Sequence, residues 1–471
     1  MTDHAPFLDR ALAAVPPEDS YAIAGVHGDL PAWLRGTFYV NGPARFSRGS
    51  VRYRHWLDGD GFVCAVRFGS DGAAATHRFI RTEKTIQEDA EGRALFRTFG
   101  TAFPGDRLNR GIALQSPANV SIYSFAGALL AFGEQGLPYE LDAVTLETRG
   151  PYTFRGALTD VSPFAAHPKR DPATGELFNF GVSFSAAQPM LNVYAFDPDG
   201  ALISRRRVPL DCPRTIHDFA VTERHVLFYL SPYLLDAGAI AHHGRTVMEA
   251  LSWQPQLGSR LLVLSRQSGD QVASIPIGSC FCLHIVNGFE DGPDTIFDAI
   301  EYERPIYEQY DGMPDLFANV GPGQPVRFVV DAARGVVRER VKIAYMSAPD
   351  FPSTDPGLTA RRYSEFWMLG ISATGRPGRK FFDELVRADW SSPGQYAVYR
   401  APSGRVFAGE PAVVPDRSGR EASVVICPMC DLERGRSSIA IFRESDMTGP
   451  IATLDLRHLL PPLFHSTFVP G

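Results

Sequence analysis

Arg260-Leu-Leu-Val-Leu264 is a short apolar run, and Ser268-Gly269-Asp270 follows it closely. Its β-branched and aliphatic residues suit a strand, and the Gly-Asp cluster supplies the turn that a hairpin requires. The same grammar recurs outward in both directions. His225-Val-Leu-Phe-Tyr-Leu230, Val326-Arg-Phe-Val-Val330, Ser423-Val-Val-Ile426 and Ser438-Ile-Ala-Ile-Phe442 are runs of the same kind. Ser70-Asp71-Gly72, Asp197-Pro198-Asp199-Gly200 and Arg334-Gly335 are turn clusters. Strand, turn, strand at this spacing reads as an all-β meander: a sandwich, a barrel or a propeller.

Two segments break the pattern. Tyr233 to Gly258 holds apolar residues without alternation and is the best helical candidate, with a second at Phe381 to Arg387. No clear fixed-period repeat is visible, so a propeller cannot be read from repeats. The chain has 471 residues and 44% hydrophobic content, enough for a large core. Length alone suggests about three domains. The absence of a linker favours one continuous domain over residues 1–471, and a closed propeller would hide its sheet edges.

The net charge of -7 is spread along the chain, and no basic patch recommends nucleic acid as a partner. Met1 to Pro17 lacks the basic start and apolar stretch of a signal peptide, and no run approaches the ~18 apolar residues of a membrane span. The expected setting is cytoplasmic, with peripheral membrane contact a further expectation. Six cysteines do not make a disulfide framework in so long a chain. Cys427-Pro-Met-Cys430 reads as core thiols, because no second pair or βαβ context accompanies it.

Twelve histidines are present. A histidine in an apolar run is most often a hydrogen-bonded core residue. His242 and His243 read as solvated or packing residues, and His4, His27, His77, His225 and His458 have no supporting context. His167, His217, His284 and His465 each sit in a short apolar setting, and no local metal motif joins any two of them. If the fold brought them together, four neutral imidazoles would leave a divalent metal open positions for chemistry.

The words around these histidines, read in order, carry more. They are Leu34-Arg-Gly-Thr-Phe-Tyr-Val-Asn-Gly-Pro43, His55-Trp-Leu-Asp-Gly-Asp-Gly61, Ala166-His-Pro-Lys169, Ile216-His-Asp-Phe-Ala220, Phe281-Cys-Leu-His-Ile-Val-Asn287, Gly409-Glu-Pro411 and Leu463-Phe-His465. Together, over nearly the whole chain, they resemble the carotenoid cleavage oxygenase family. The resemblance implies a seven-bladed β-propeller under a dome of loops and helices. It implies Fe(II) held by His167, His217, His284 and His465. It also implies carboxylates behind three of them: Glu134 for His217, Glu410 for His465, and Asp350 for His284.

Asp350 departs from the family, which carries Glu there. The shorter side chain is expected to reach His284 only through water or a backbone shift. Val120 stands where many members have Thr beside the metal. Gly133 stands where stilbene-cleaving relatives have a Lys that binds a phenol. Both positions belong to the expected substrate and oxygen pocket. In His55-Trp-Leu-Asp-Gly-Asp-Gly61, Asp58 and Asp60 read as a tight hydrogen-bonded turn closing a blade, not as metal ligands.

The implied function is a non-haem Fe(II) dioxygenase, with dioxygen as co-substrate, that cleaves a C=C bond of a carotenoid or apocarotenoid to two carbonyls. The implied partner is a lipophilic small molecule in an apolar tunnel. Three rivals remain open: a stilbene- or phenylpropenoid-cleaving enzyme, a retinoid-type isomerase, and a non-catalytic propeller.

Overall fold

The protein is described from a computed structural model covering residues 5–109, 113–184, 188–306 and 312–471; His4 lies outside them. The opening run becomes the strand Ser259–Ser265, which pairs with His225–Leu230 on one side and Gln271–Gly278 on the other. Gly269 turns the second hairpin at φ +76°. Leu262 and Leu264 pack into one apolar cluster, whereas Leu261 and Val263 pack into the next. Alternate side chains of one strand thus enter two different cores. A sheet covered on both faces needs a continuous apolar run, and this is why the sequence shows runs rather than clean alternation.

Seven such sheets stand in a ring, a seven-bladed β-propeller. Blade 1 spans residues 19–79 and takes the C-terminal strand Ser466–Pro470. Blades 2 to 6 span 121–151, 169–209, 219–278, 281–342 and 350–400. Blade 7 spans 405–455 and takes Val26–Gly28 from the N-terminal part. The ring is closed twice by strands far apart in sequence, at Val40↔Ser466 and at Val26↔Leu454. Gly42 lets the backbones approach, since a Cβ there would lie 2.5 Å from Leu463 Cα.

Long connections gather over one end of the axis. Trp56 donates to Pro462 O at 3.1 Å, Arg97 donates to Ile240 O at 2.9 Å, and Met248 N donates to Phe99 O at 3.1 Å. Most of the helix lies in this cap. Glu83–Glu91 is capped by the Thr82 side chain and ends at Gly92 in the left-handed region.

Both helical expectations need correction. Within Tyr233 to Gly258, Ala237–His243 and Val247–Ala250 are α-helical and Pro255–Leu257 is a single 3-10 turn. Asp236 and Thr246 cap separate helices, Gly244 stops the first, and Tyr233–Leu235 pairs with Leu251–Trp253 as a hairpin. Phe381 to Arg387 contains no helix. Glu384–Asp389 is a strand held between Glu365–Gly370 and Tyr396–Arg400, and that pairing overrides local propensity.

Cys427 and Cys430 are buried free thiols in the strand Val424–Asp431. Asp58 accepts from His55 N, Gly100 N and Thr101 Oγ1. Asp60 pairs with Arg48 and Lys84. Both aspartates are thus committed to the protein itself. No helix among the described residues is long and apolar enough to cross a membrane.

Candidate metal centre

The innermost strands are Ser121–Phe125, Lys169–Arg170, Phe219–Val221, Phe281–Asp291, Asp350–Ser353, Ala412–Val414 and Ser466–Pro470. At or near the start of each stands one of the residues singled out in the sequence. In blade order from blade 2 they are Val120, His167, His217, His284, Asp350, Glu410 and His465. The propeller therefore converts seven distant positions into one ring at the axis.

The four histidines converge there, with one ligand-capable nitrogen from each lying within 4.8 Å of the others. His217 Nε2 lies 2.9 Å from His167 Nε2 and 3.2 Å from His284 Nε2. The rings stand edge to face, with interplanar angles of 65° to 87° among the 167–217, 167–284, 167–465, 217–284 and 284–465 pairs. Imidazole nitrogens at such separations repel if protonated, and they suit a cation placed between them.

Three of the rings are held from behind. His217 Nδ1 lies 2.8 Å from Glu134 Oε1, His284 Nδ1 lies 2.5 Å from Asp350 Oδ1, and His465 Nδ1 lies 3.2 Å from Glu410 Oε1. Nδ1–H donation to a carboxylate fixes the tautomer and turns each Nε2 lone pair inward. No carboxylate pairs with His167 among the described residues. The shorter Asp350 side chain reaches His284 directly rather than through water, from a strand whose register shifts between Asp350 and Ser353, in keeping with the backbone shift that the sequence allows for.

Burial, and then the neighbouring His465, His217 and His284, push His167 well below the ordinary histidine range. Burial likewise lowers His465, against the opposing pull of Glu410. Burial also pushes His284 down, but the charge and hydrogen bond of Asp350 outweigh it and raise the group overall. Burial thus favours the neutral, metal-binding form of His167 and His465. The donor set fits a divalent ion of the iron, cobalt or zinc kind.

Sequence reading missed the scaffold of this ring. Asp218 Oδ2 accepts from Ile285 N at 2.8 Å, and its Oδ1 accepts from Phe219 N and pairs with Lys169 Nζ at 2.7 Å. One carboxylate thereby joins the strands carrying His167, His217 and His284. Asn41 donates to Ala118 O and Ser121 O, both at 2.8 Å, and Asn119 donates to Leu57 O and Gly59 O. The signal was adjacency: Asn41 and Asp218 lie inside motif words, and Asn119 directly precedes Val120.

A small cleft opens on the centre. His55, Trp56, Leu57, Leu283, Phe317, Phe351 and Phe464 line it, with Val120, Asp350 and three of the histidines. Gly133 is not among the lining residues. A Cβ there would lie 2.2 Å from Ser116 Oγ, so Gly133 packs against the Ser116 side chain and the Ala118 backbone instead.

The family model described as Retinal pigment epithelial membrane protein matches residues 13–470. The chain belongs to that family, the carotenoid oxygenases. It is 30% identical to the apocarotenoid-15,15'-oxygenase of Synechocystis sp., over 98% of this chain and 95% of the relative. It is 33% identical to resveratrol cleavage oxygenase 1 of Aspergillus fumigatus, over 83% of this chain and 80% of the relative. The crystal structure of cobalt-substituted Synechocystis apocarotenoid oxygenase superposes with a TM-score of 0.89 at 26% identity, covering 100% of both chains.

Proposed function

We propose that this carotenoid oxygenase-family protein is a non-haem Fe(II) dioxygenase that splits one C=C bond of a carotenoid or apocarotenoid. The single observation that carries the proposal is the convergence of His167, His217, His284 and His465, with carboxylates behind three of them. Iron held by these four would supply the activation of dioxygen. The reaction balances without a reductant, because the alkene and one O2 give two carbonyls and each carbon receives one oxygen atom.

The chain's own residues do the rest. Glu134, Asp350 and Glu410 orient the imidazoles. Trp56, Phe317, Phe351 and Phe464 exclude water and hold an apolar chain against the centre. Val120, buried at the axis, places methyl groups where a threonine would offer a hydroxyl. Gly133, beside Glu134, lets the Ser116 side chain pack close behind the segment that carries the carboxylate.

Residues 1–471 act as one domain in this reading. The substrate is lipophilic, and peripheral membrane contact of a cytoplasmic protein would deliver it.

A second reading is cleavage of a stilbene or phenylpropenoid by the same centre. The resveratrol-cleaving relative supports it, and Gly133 weighs against it.

The test is incubation of iron-loaded protein with apocarotenals and stilbenes under ¹⁸O₂, read by mass spectrometry. Labelled paired carbonyls from an apocarotenal are expected. Labelled aldehydes from stilbenes alone would favour the second reading. A rearranged product without label would replace both with an isomerase.

A further inference from the structure

Blade 6 reaches the axis through a distortion. Asp350 pairs with Leu369 and Ser353 pairs with Trp367, so Phe351 and Pro352 together oppose Met368 alone. This is a β-bulge, a device that re-aims side chains near functional sites. Within it Phe351 has φ +51°, a left-handed conformation that is a genuine outlier for a bulky residue.

Two consequences meet at the centre. Phe351 N donates to Asp350 Oδ1 at 2.9 Å, the same oxygen that lies 2.5 Å from His284 Nδ1. The Phe351 ring lies 5.6 Å from His284 at 32° and 5.0 Å from His465 at 50°. It lines the cleft, and Phe382 packs against it at 5.5 Å.

We infer that Phe351 is a positioning residue: its bulged backbone aims the short Asp350 carboxylate at His284, and its ring fixes the planes of His284 and His465. The inference rests on reading the four histidines as a metal centre. A mere turn at this φ would favour glycine. Strain of this kind persists where the surroundings over-determine it, and such places cluster at functional sites.

Cobalt(II) binding to the metal-stripped full chain tests the inference, read by titration and by the visible absorption spectrum. F351L removes the ring at a strained position. F351G removes the ring but suits the left-handed backbone. F351Y keeps both features. F351L and F351G are expected to lose about tenfold or more in cobalt affinity, the usual scale for supporting partners of metal ligands, and to change the spectrum. F351Y should stay within about twofold of the parent.

Parent-like affinity and spectrum in a folded F351G would overturn the inference. So would failure of F351G to fold, because glycine relaxes the bulge. No cobalt uptake by the folded parent would instead overturn the reading of the centre itself.

Discussion

Asp350 ends 2.5 Å from His284 Nδ1 and is buried with it. Another methylene would carry the carboxylate past the point where His284 Nδ1 and the Phe351 N–H both meet the same oxygen. Restoring the family's glutamate is therefore predicted to do harm. D350E should lower metal affinity and cost about 1–3 kcal/mol of stability through overpacking, measured by metal titration and denaturant unfolding. A gain in affinity would show that the aspartate is a defect rather than a fitted part. The ligand histidines and their carboxylates were legible as words in the sequence. The directness of the Asp350 contact was not, because it depends on a bulge and a φ value that no residue type encodes. Asp218 was equally hidden: an aspartate after a histidine does not announce that it will tie three blades together.

At the scale of elements, strands were legible where apolar runs met turns. The helix Glu83–Glu91 escaped because its inward face is charged. Lys84 and Glu88 are buried at 1% and 0% exposure. Lys84 Nζ bonds Asp60 Oδ1 at 2.9 Å and Glu88 Oε2 at 2.8 Å, while Arg48 pairs with the same two carboxylates. A pattern search for an apolar stripe finds nothing there. The network makes a strong prediction, because removing one member leaves buried charge uncompensated. K84A should destabilise the protein by about 3–5 kcal/mol in denaturant unfolding. A change below about 1 kcal/mol would mean that water or Arg48 replaces the lost cation. The misread segment Phe381 to Arg387 shows the opposite failure, in which sheet partners on both sides impose a strand on residues whose spacing also fits a helix.

At the scale of the molecule, the blades could not be counted from a repeat because their connections differ in length: blade 2 runs 121–151 and blade 5 runs 281–342. The seven-fold ring, and the one residue each blade sends to its axis, exist only after closure. Closure also buries histidines outside the centre. Burial lowers His55 and His77 to about 4 each. A depressed histidine takes up its proton first in the unfolded chain, at about 6.5. Its contribution is complete above that pH and is lost as pH falls toward 4. Each should reduce stability by about 1.4 kcal/mol per pH unit across that window. H77F should make the acid limb of the stability profile shallower, as followed by unfolding between pH 7 and 4; an unchanged slope would remove His77 from that account. The central claim is that closure builds a metal centre from four blades. The most direct test is the iron content of folded, Fe(II)-equilibrated protein, for the parent and for the H167A, H217A, H284A and H465A variants. One iron per chain in the parent, and a sharp loss in each folded variant, is the predicted result. An iron-free parent, or variants that keep the parent's iron, would contradict it.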